Sequence, residues 1–166
     1  FLGANIFEPL GMKRSFVTAE RKFDWPGLAT PYVEDGGGYR DARFGDNPAD
    51  LIYGDGGVVS TVEDLLKWDQ ALYSDRLVKQ ATVAEAFTSG ELLDGEQTGY
   101  GFGWEIDEFR GHSRIRHSGS WTGWTSVLVR YPDERLTIII LANVEPFDPS
   151  DLADGIAALL LEDLSE

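Results

Sequence analysis

The sequence predicts an α+β fold: an antiparallel sheet of three or more strands, laid out as a C-terminal meander and packed by helices that include one at the C-terminus. Three observations predict it. From Gly99 to Asn143 short apolar and β-branched runs alternate with turn residues. Before them, two stretches repeat apolar residues at helical spacing, and after them Pro149 opens a third. The chain is read as one unit over 1–166, with a helical and irregular region over 1–95 and the sheet and C-terminal helix over 96–166.

Phe1 to Phe7 reads as the last turns of a helix ended by Pro9 and Gly11. Residues 20–57 carry Pro26, Pro31, Pro48 and the triplet Gly36-Gly37-Gly38, and are expected to be irregular or weakly stranded. Ser60-Thr61-Val62-Glu63 fits a capping box, with Ser60 as N-cap of a helix running to about Tyr73. Val62, Leu65, Leu66 and Leu72 would form its buried face. A shorter helix is expected from about Lys79 to Thr88.

Strands are expected at Tyr100–Ile106, Ser113–His117, Thr125–Tyr131 and Leu136–Asn143. Gly101 and Gly103, between Tyr100, Phe102 and Trp104, suggest close backbone approach. Pro132 stands where a type I turn favours it, so Tyr131 to Arg135 should join the last two strands as a hairpin. Leu136 to Ala142 is nearly all apolar and is expected inside a sheet, covered on both faces. In the C-terminal helix, Leu152, Ile156, Leu159 and Leu160 would form the stripe that covers the sheet.

Composition excludes several functions. With 166 residues, 42% hydrophobic and 12% aromatic, the chain can build one hydrophobic core. Fourteen Lys and Arg against 29 Asp and Glu leave a formal charge of −15, which repels nucleic acid and anionic membrane surfaces. The acids are dispersed, as on a solvated surface; with only Lys13, Lys22, Lys67 and Lys79, adaptation to salt is the other reading. No Cys is present, so thiol chemistry and disulfides are absent. No apolar run is long enough to span a bilayer. Two histidines without His-Glu-x-x-His spacing argue against zinc, and no cofactor loop is found: Gly56-Gly57 lacks a following Gly-Lys-Ser, and Gly99, Gly101 and Gly103 do not open a helix. No metal and no cofactor is expected.

The chemistry-bearing stretch is His117 to Val129. His117 is placed where a strand gives way to a Gly-rich loop, as a hydrogen-bond donor or proton shuttle, or simply as a histidine bonded to backbone at a sheet end. His112, beside Gly111 in a turn, is given no role. Trp121 and Trp124 straddle Gly123 and could flank a cleft, although core packing is the commoner fate of Trp. No Gly-x-Ser-x-Gly elbow surrounds Ser118 or Ser120.

Ile6-Phe7-Glu8-Pro9-Leu10-Gly11-Met12, Ala29-Thr30-Pro31-Tyr32, Gly56 to Leu65, Tyr100-Gly101-Phe102-Gly103-Trp104, His117-Ser118-Gly119 and the hairpin ending Ile140-Leu141-Ala142-Asn143 follow one another in an order and spacing that resemble the serine β-lactamases of class C and the related D-Ala-D-Ala carboxypeptidases, D-aminopeptidases and esterases. The resemblance implies a partial β-lactamase/transpeptidase-like fold and hydrolysis of an amide or ester through an acyl-enzyme. It places His117, Ser118 and Gly119 on the Lys-Thr-Gly-type strand, in a His form closer to carboxypeptidase-like and aminopeptidase-like members. It makes the Ser120 backbone N–H one oxyanion donor, His117 and Ser118 contacts of the substrate carboxylate or carbonyl, and Trp121 a rim residue. Such enzymes also need Ser-x-x-Lys and Tyr-x-Asn or Ser-x-Asn, and none of these occurs in the chain. By the resemblance these belong to an N-terminal half preceding residue 1, and the chain alone is expected to be inactive. That half, or a second copy, would pair with the Leu136–Asn143 edge, and the complete protein would take a small-molecule or peptide substrate. The competing expectations are a non-catalytic binding module that keeps the cleft, and a carbohydrate-binding β domain using Trp121 and Trp124.

Overall fold

The structure is a computed structural model that describes residues 1–18, 26–43, 54 and 56–163. A π-helical turn over Gly3–Phe7 runs into one α turn, α1 (Glu8–Leu10), which Gly11 closes at φ 66°. Pro9 lies inside this turn, not at its end. The glycine alone ends it, because only the left-handed conformation lets the Gly11 and Met12 N–H groups reach back to Glu8 and Phe7 carbonyls.

Four short strands come first, β1 (Phe16–Val17), β2 (Tyr32–Asp35), β3 (Gly38–Asp41) and β4 (Val58–Val59); β2 and β3 lie within the segment 20–57 expected to be irregular or weakly stranded, and β1 and β4 flank it. The parts of that expectation on 20–25, 44–53 and 55 lie outside the described residues. β1 pairs antiparallel with β4, and β2 with β3 around Gly36-Gly37.

Helix α2 spans Val62–Ala71, one residue later at its start than expected: Thr61 is the N-cap, its hydroxyl accepting from the Asp64 N–H at 3.3 Å. The Ser60 hydroxyl is turned away to Ser15. The face is corrected too. Val62 and Leu66 are exposed, and the helix buries Asp64, Asp69 and Ala71. Each acid is buried with partners. Asp64 accepts from Arg14 N–H, the Ser15 hydroxyl and the Lys67 ammonium. Burial alone pushes its carboxyl up, and those three donors together hold it below the ordinary aspartate value. Asp69 accepts from Arg130 at 2.5 Å and from the Thr137 hydroxyl at 3.0 Å. Helix α3 spans Gln80–Ala86, as its periodicity predicts.

The main sheet follows: β5 (Glu105–Phe109), β6 (His112–Trp121), β7 (Trp124–Tyr131) and β8 (Leu136–Ala142), antiparallel in that order. Residues 100–104, expected to be strand, form a loop in front of β5. Its Gly101 backs onto helix α3 so closely that a Cβ there would sit 2.1 Å from the Ala86 carbonyl oxygen. The β5–β6 turn is Arg110-Gly111, both at positive φ as a type I′ hairpin requires. The β7–β8 loop is Pro132 to Arg135, as predicted, with the Arg135 N–H returning to the Pro132 carbonyl.

Among the described residues strand β8 is the edge of the sheet, not its interior, and within the strand only Ile138 is buried. After it, β9 (Val144–Glu145) pairs in parallel with β2. Helix α4 (Pro149–Asp163) covers one face of the sheet, where Ala153, Ala157 and Leu161 meet Val127, Val129, Tyr131 and Ile138. Of the expected leucine stripe, Leu152, Leu159 and Leu160 are exposed and Ile156 is half-buried. The small alanines let the helix lie close on the β-branched strands, and the leucines flank that seam.

On this face Arg114 holds Asp107 bidentately at 2.7 Å and Asp154 of α4 at 2.8 Å. The opposite face receives α2 through Arg130. The Arg130–Asp69 pair is fully desolvated, at 1% and 0% exposure, and the guanidinium lies over the rings of Tyr73 and Phe87. Trp68 of α2 stacks on Trp104 at 5.8 Å beside it.

Two outcomes follow from this packing. Asp69→Ala strands a buried guanidinium and is expected to lower unfolding stability by roughly 3–5 kcal/mol in urea titration. A loss under about 1 kcal/mol would show the pair to be dispensable. The Arg114 hydrogen bonds hold the Asp107 carboxyl below its ordinary value against the opposing effect of burial. Its contribution is therefore complete above about pH 4, the unfolded value, and lost as pH falls through the lower folded value. Asp107→Asn should flatten the acid limb of a urea-midpoint profile and leave its shape near pH 7 unchanged.

Candidate active site

The site is built on the β6–β7 hairpin. Trp121 and Trp124 flank a two-residue turn, Thr122-Gly123, with Gly123 at φ 75°. Gly123 sits on Pro31, where a Cβ would lie 2.6 Å from the proline Cβ, and its N–H donates to Glu145 at 3.0 Å. The Asn143 amide donates to the Thr30 carbonyl at 2.7 Å. Segment 30–32 and the chain after β8 thus anchor the hairpin tip from below.

The expected place of His117, at a strand end, is corrected: it lies in the middle of β6, opposite Leu128. The strand continues because Ser118, Gly119 and Ser120 each find a register partner on β7, namely Val127, Ser126 and Thr125. Alternation then separates the candidates. Ser118 lies beside Val127 on the α4 face, with Ser120. His117, Gly119 and Trp121 lie on the face that carries Arg130 and meets α2.

The backbone groups divide in the same way. In a two-residue hairpin the flanking pair is the hydrogen-bonded one, so Trp121, Gly119 and His117 exchange bonds with β7 while Ser120 and Ser118 point away from it. The Phe109–His112 hairpin gives the same phase, directing Arg114 and Arg116 to β5. Strand β5 ends at Glu105, opposite Arg116. The N–H groups of Ser118 and Ser120 therefore face the side of β6 on which its neighbouring strand has stopped.

Gly119, Ser120, Thr125 and Ser126 separate two cavities. The larger, about 890 Å³, is walled by Trp121, Trp124 and the end of β8 on one side and by Phe16, Thr18 and residues 56–61 on the other. Trp121 closes against Gly56, where a Cβ would be 3.2 Å from the indole. The smaller, about 450 Å³, lies between Ser118, Ser120 and the 145–149 loop. Ser120, Gly119 and Trp121 thus meet at the larger cavity, and Ser118 belongs to the smaller; His117 lines neither.

His117 is exposed and engaged at both nitrogens: Nδ1 lies 2.6 Å from the Ser118 carbonyl oxygen and Nε2 lies 2.9 Å from the Tyr100 hydroxyl. Tyr100 is the residue that sequence reasoning missed. It stands 17 positions upstream, and only the loop before β5 carries it to the ring. His112 reaches Glu134 of the β7–β8 turn at 2.5 Å, tying two turns together. Among the described residues no three His, Cys, Asp or Glu side chains converge as metal ligands, and no helix is long and apolar enough to cross a membrane.

The chain matches the Beta-lactamase family model over residues 1–163. It is 43% identical to penicillin-binding protein 4* of Bacillus subtilis over 97 residues, which is 58% of this chain and 22% of that protein. It is 29% identical over 151 residues to the D-aminopeptidase of Gluconobacter oxydans, 86% of this chain and 26% of that protein. The chain thus spans about a quarter of the length of these curated relatives. Among solved structures, the octameric penicillin-binding protein homologue from Pyrococcus abyssi superposes with a TM-score of 0.79 at 28% identity, over 97% of this chain and 37% of that one. With the family model covering residues 1–163, the chain belongs to the Beta-lactamase family.

Proposed function

We propose that this chain supplies the substrate-lining wall of a serine hydrolase that cleaves an amide or ester through an acyl-enzyme. The observation that carries the reading is the open stretch of β6 beyond β5. Backbone N–H groups fixed in a strand and directed away from β7, beyond the end of β5, are what a developing oxyanion requires, since they need no reorganisation when charge appears. The Ser120 N–H is the oxyanion donor in this reading. Gly119 keeps the strand free of a side chain between His117 and Trp121, and Trp121 shapes the rim. A D-amino-acid-containing amide, as the name of the Gluconobacter relative suggests, is one fitting substrate class.

The nucleophile has to come from elsewhere, because neither Ser-x-x-Lys nor Tyr-x-Asn occurs in these 166 residues. In this reading both belong to the rest of the domain, and the chain by itself is inactive. The β8 edge supports that arrangement: it has no partner strand on its outer side among the described residues, and Leu141 is exposed on it. An apolar edge of this kind accepts a strand from the remainder of the domain or from a second copy.

A fluorophosphonate probe separates this reading from a binding module that merely keeps the fold. The protein from the full reading frame should be labelled and the 166-residue chain should not. Labelling of the isolated chain, or no labelling of either, would overturn the proposal. The donor is tested by two substitutions. Ser120→Ala keeps the N–H and should retain acylation within a few-fold, whereas Ser120→Pro removes it without removing a bond to β7 and should slow acylation about 10²–10³-fold. Equal rates in the two variants would exclude this amide.

A further inference from the structure

The geometry around His117 points to a role for Tyr100, and this inference rests on the hydrolase reading above. The Ser118 carbonyl oxygen can only accept a hydrogen bond, so the nitrogen 2.6 Å from it, Nδ1, carries the proton. In the neutral ring Nε2 is then a lone pair, and the Tyr100 hydroxyl 2.9 Å away is the donor. We propose that Tyr100 is the positioning residue of this site: it fixes His117 as the Nδ1-protonated tautomer, leaves the imidazole no free N–H, and leaves the lone pairs of its own exposed phenol oxygen as the hydrogen-bonding capacity that the pair can offer a substrate.

Tyr100 is well held for such a role. Its carbonyl accepts from the Gly90 N–H at 2.9 Å and the Thr98 hydroxyl at 3.1 Å, and its own N–H donates to Thr98 at 3.2 Å. The next residue, Gly101, is wedged against the Ala86 carbonyl, and Tyr100 forms a single bridge with Glu105 at the start of β5. The two rings meet edge to face, with centroids 6.0 Å apart. A rigid loop and a strand thus clamp the imidazole from opposite sides, just where β6 loses its neighbouring strand.

The consequence concerns specificity. By family resemblance His117 donates to a substrate carboxylate or carbonyl, but both of its nitrogens are used within the protein. What the pair offers instead is an acceptor oxygen, which suits a substrate N–H, as in an amide or amine, and gains nothing from the ester oxygen in the same position.

The test uses the protein from the full reading frame. Long-range ¹H–¹⁵N spectra near neutral pH should show His117 protonated at Nδ1 and unprotonated at Nε2. In Tyr100→Phe, which keeps the ring, the Nε2 signal should shift. KM for an amide should then rise about tenfold with kcat within about twofold, while KM for the matched ester stays unchanged. An Nε2-protonated His117 in the wild type, an unshifted Nε2 in the variant, or equal KM changes for amide and ester would overturn the inference. If the protein hydrolyses neither substrate, the hydrolase reading fails, and the nitrogen spectra still decide the Tyr100–His117 assignment.

Discussion

The helical half meets the sheet at one desolvated cation. Arg130 leaves β7 on the face opposite α4, finds the Asp69 carboxylate of α2 at the next layer, and lies between Tyr73 and Phe87. A guanidinium so placed is costly to bury, and that cost is offset only while α2, Tyr73 after it and Phe87 at the end of α3 hold their positions. Thr137 of β8 joins the same carboxylate, so two strands and one helix share a single charge pair. The pair thereby fixes the C-terminal end of α2 against the sheet, while the Thr61 cap and the buried Asp64 with its partners fix the end that follows residues 56–61.

The two sides of the sheet are locked by similar chemistry with different exposure. On the α4 side Arg114 reaches Asp107 and Asp154, which are about one-third exposed. On the α2 side Asp69 and Arg130 see no solvent. Between these two locks the β6–β7 hairpin is held from β5 to its tip, and its last five residues on β6 run past the end of β5. That overhang is the proposed site. Among the described residues its backbone is paired as strand to β7 alone.

Local patterns disclosed much of this architecture. Pro132 announced the β7–β8 loop, Pro149 the start of α4, and Gly101 and Gly103 a close backbone approach, which is made in a loop against α3 and not within a strand. Patterns that treat charge as solvent-facing failed at Asp64 and Asp69, because their partners are set by the fold: Arg130 lies 61 residues beyond Asp69. The same rule took the leucines of α4 for its buried stripe, when the close packing of a helix on β-branched strands favours Ala153 and Ala157. In the site, the triplet His117-Ser118-Gly119 was legible as a family signature. Its place in the middle of a strand, and the Tyr100 hydroxyl on its imidazole, depend on register and loop geometry that no short spacing encodes.

The side of β6 beyond the end of β5 is the proposed place where a substrate oxygen is received. The most direct measurement is a crystal structure of the full-reading-frame protein carrying a phosphonate adduct. A phosphonyl oxygen at about 3 Å from the Ser120 nitrogen, on the side vacated by β5, is the result expected. An adduct whose oxygens all lie away from β6, with the Ser118 and Ser120 N–H groups paired to another strand, would contradict it.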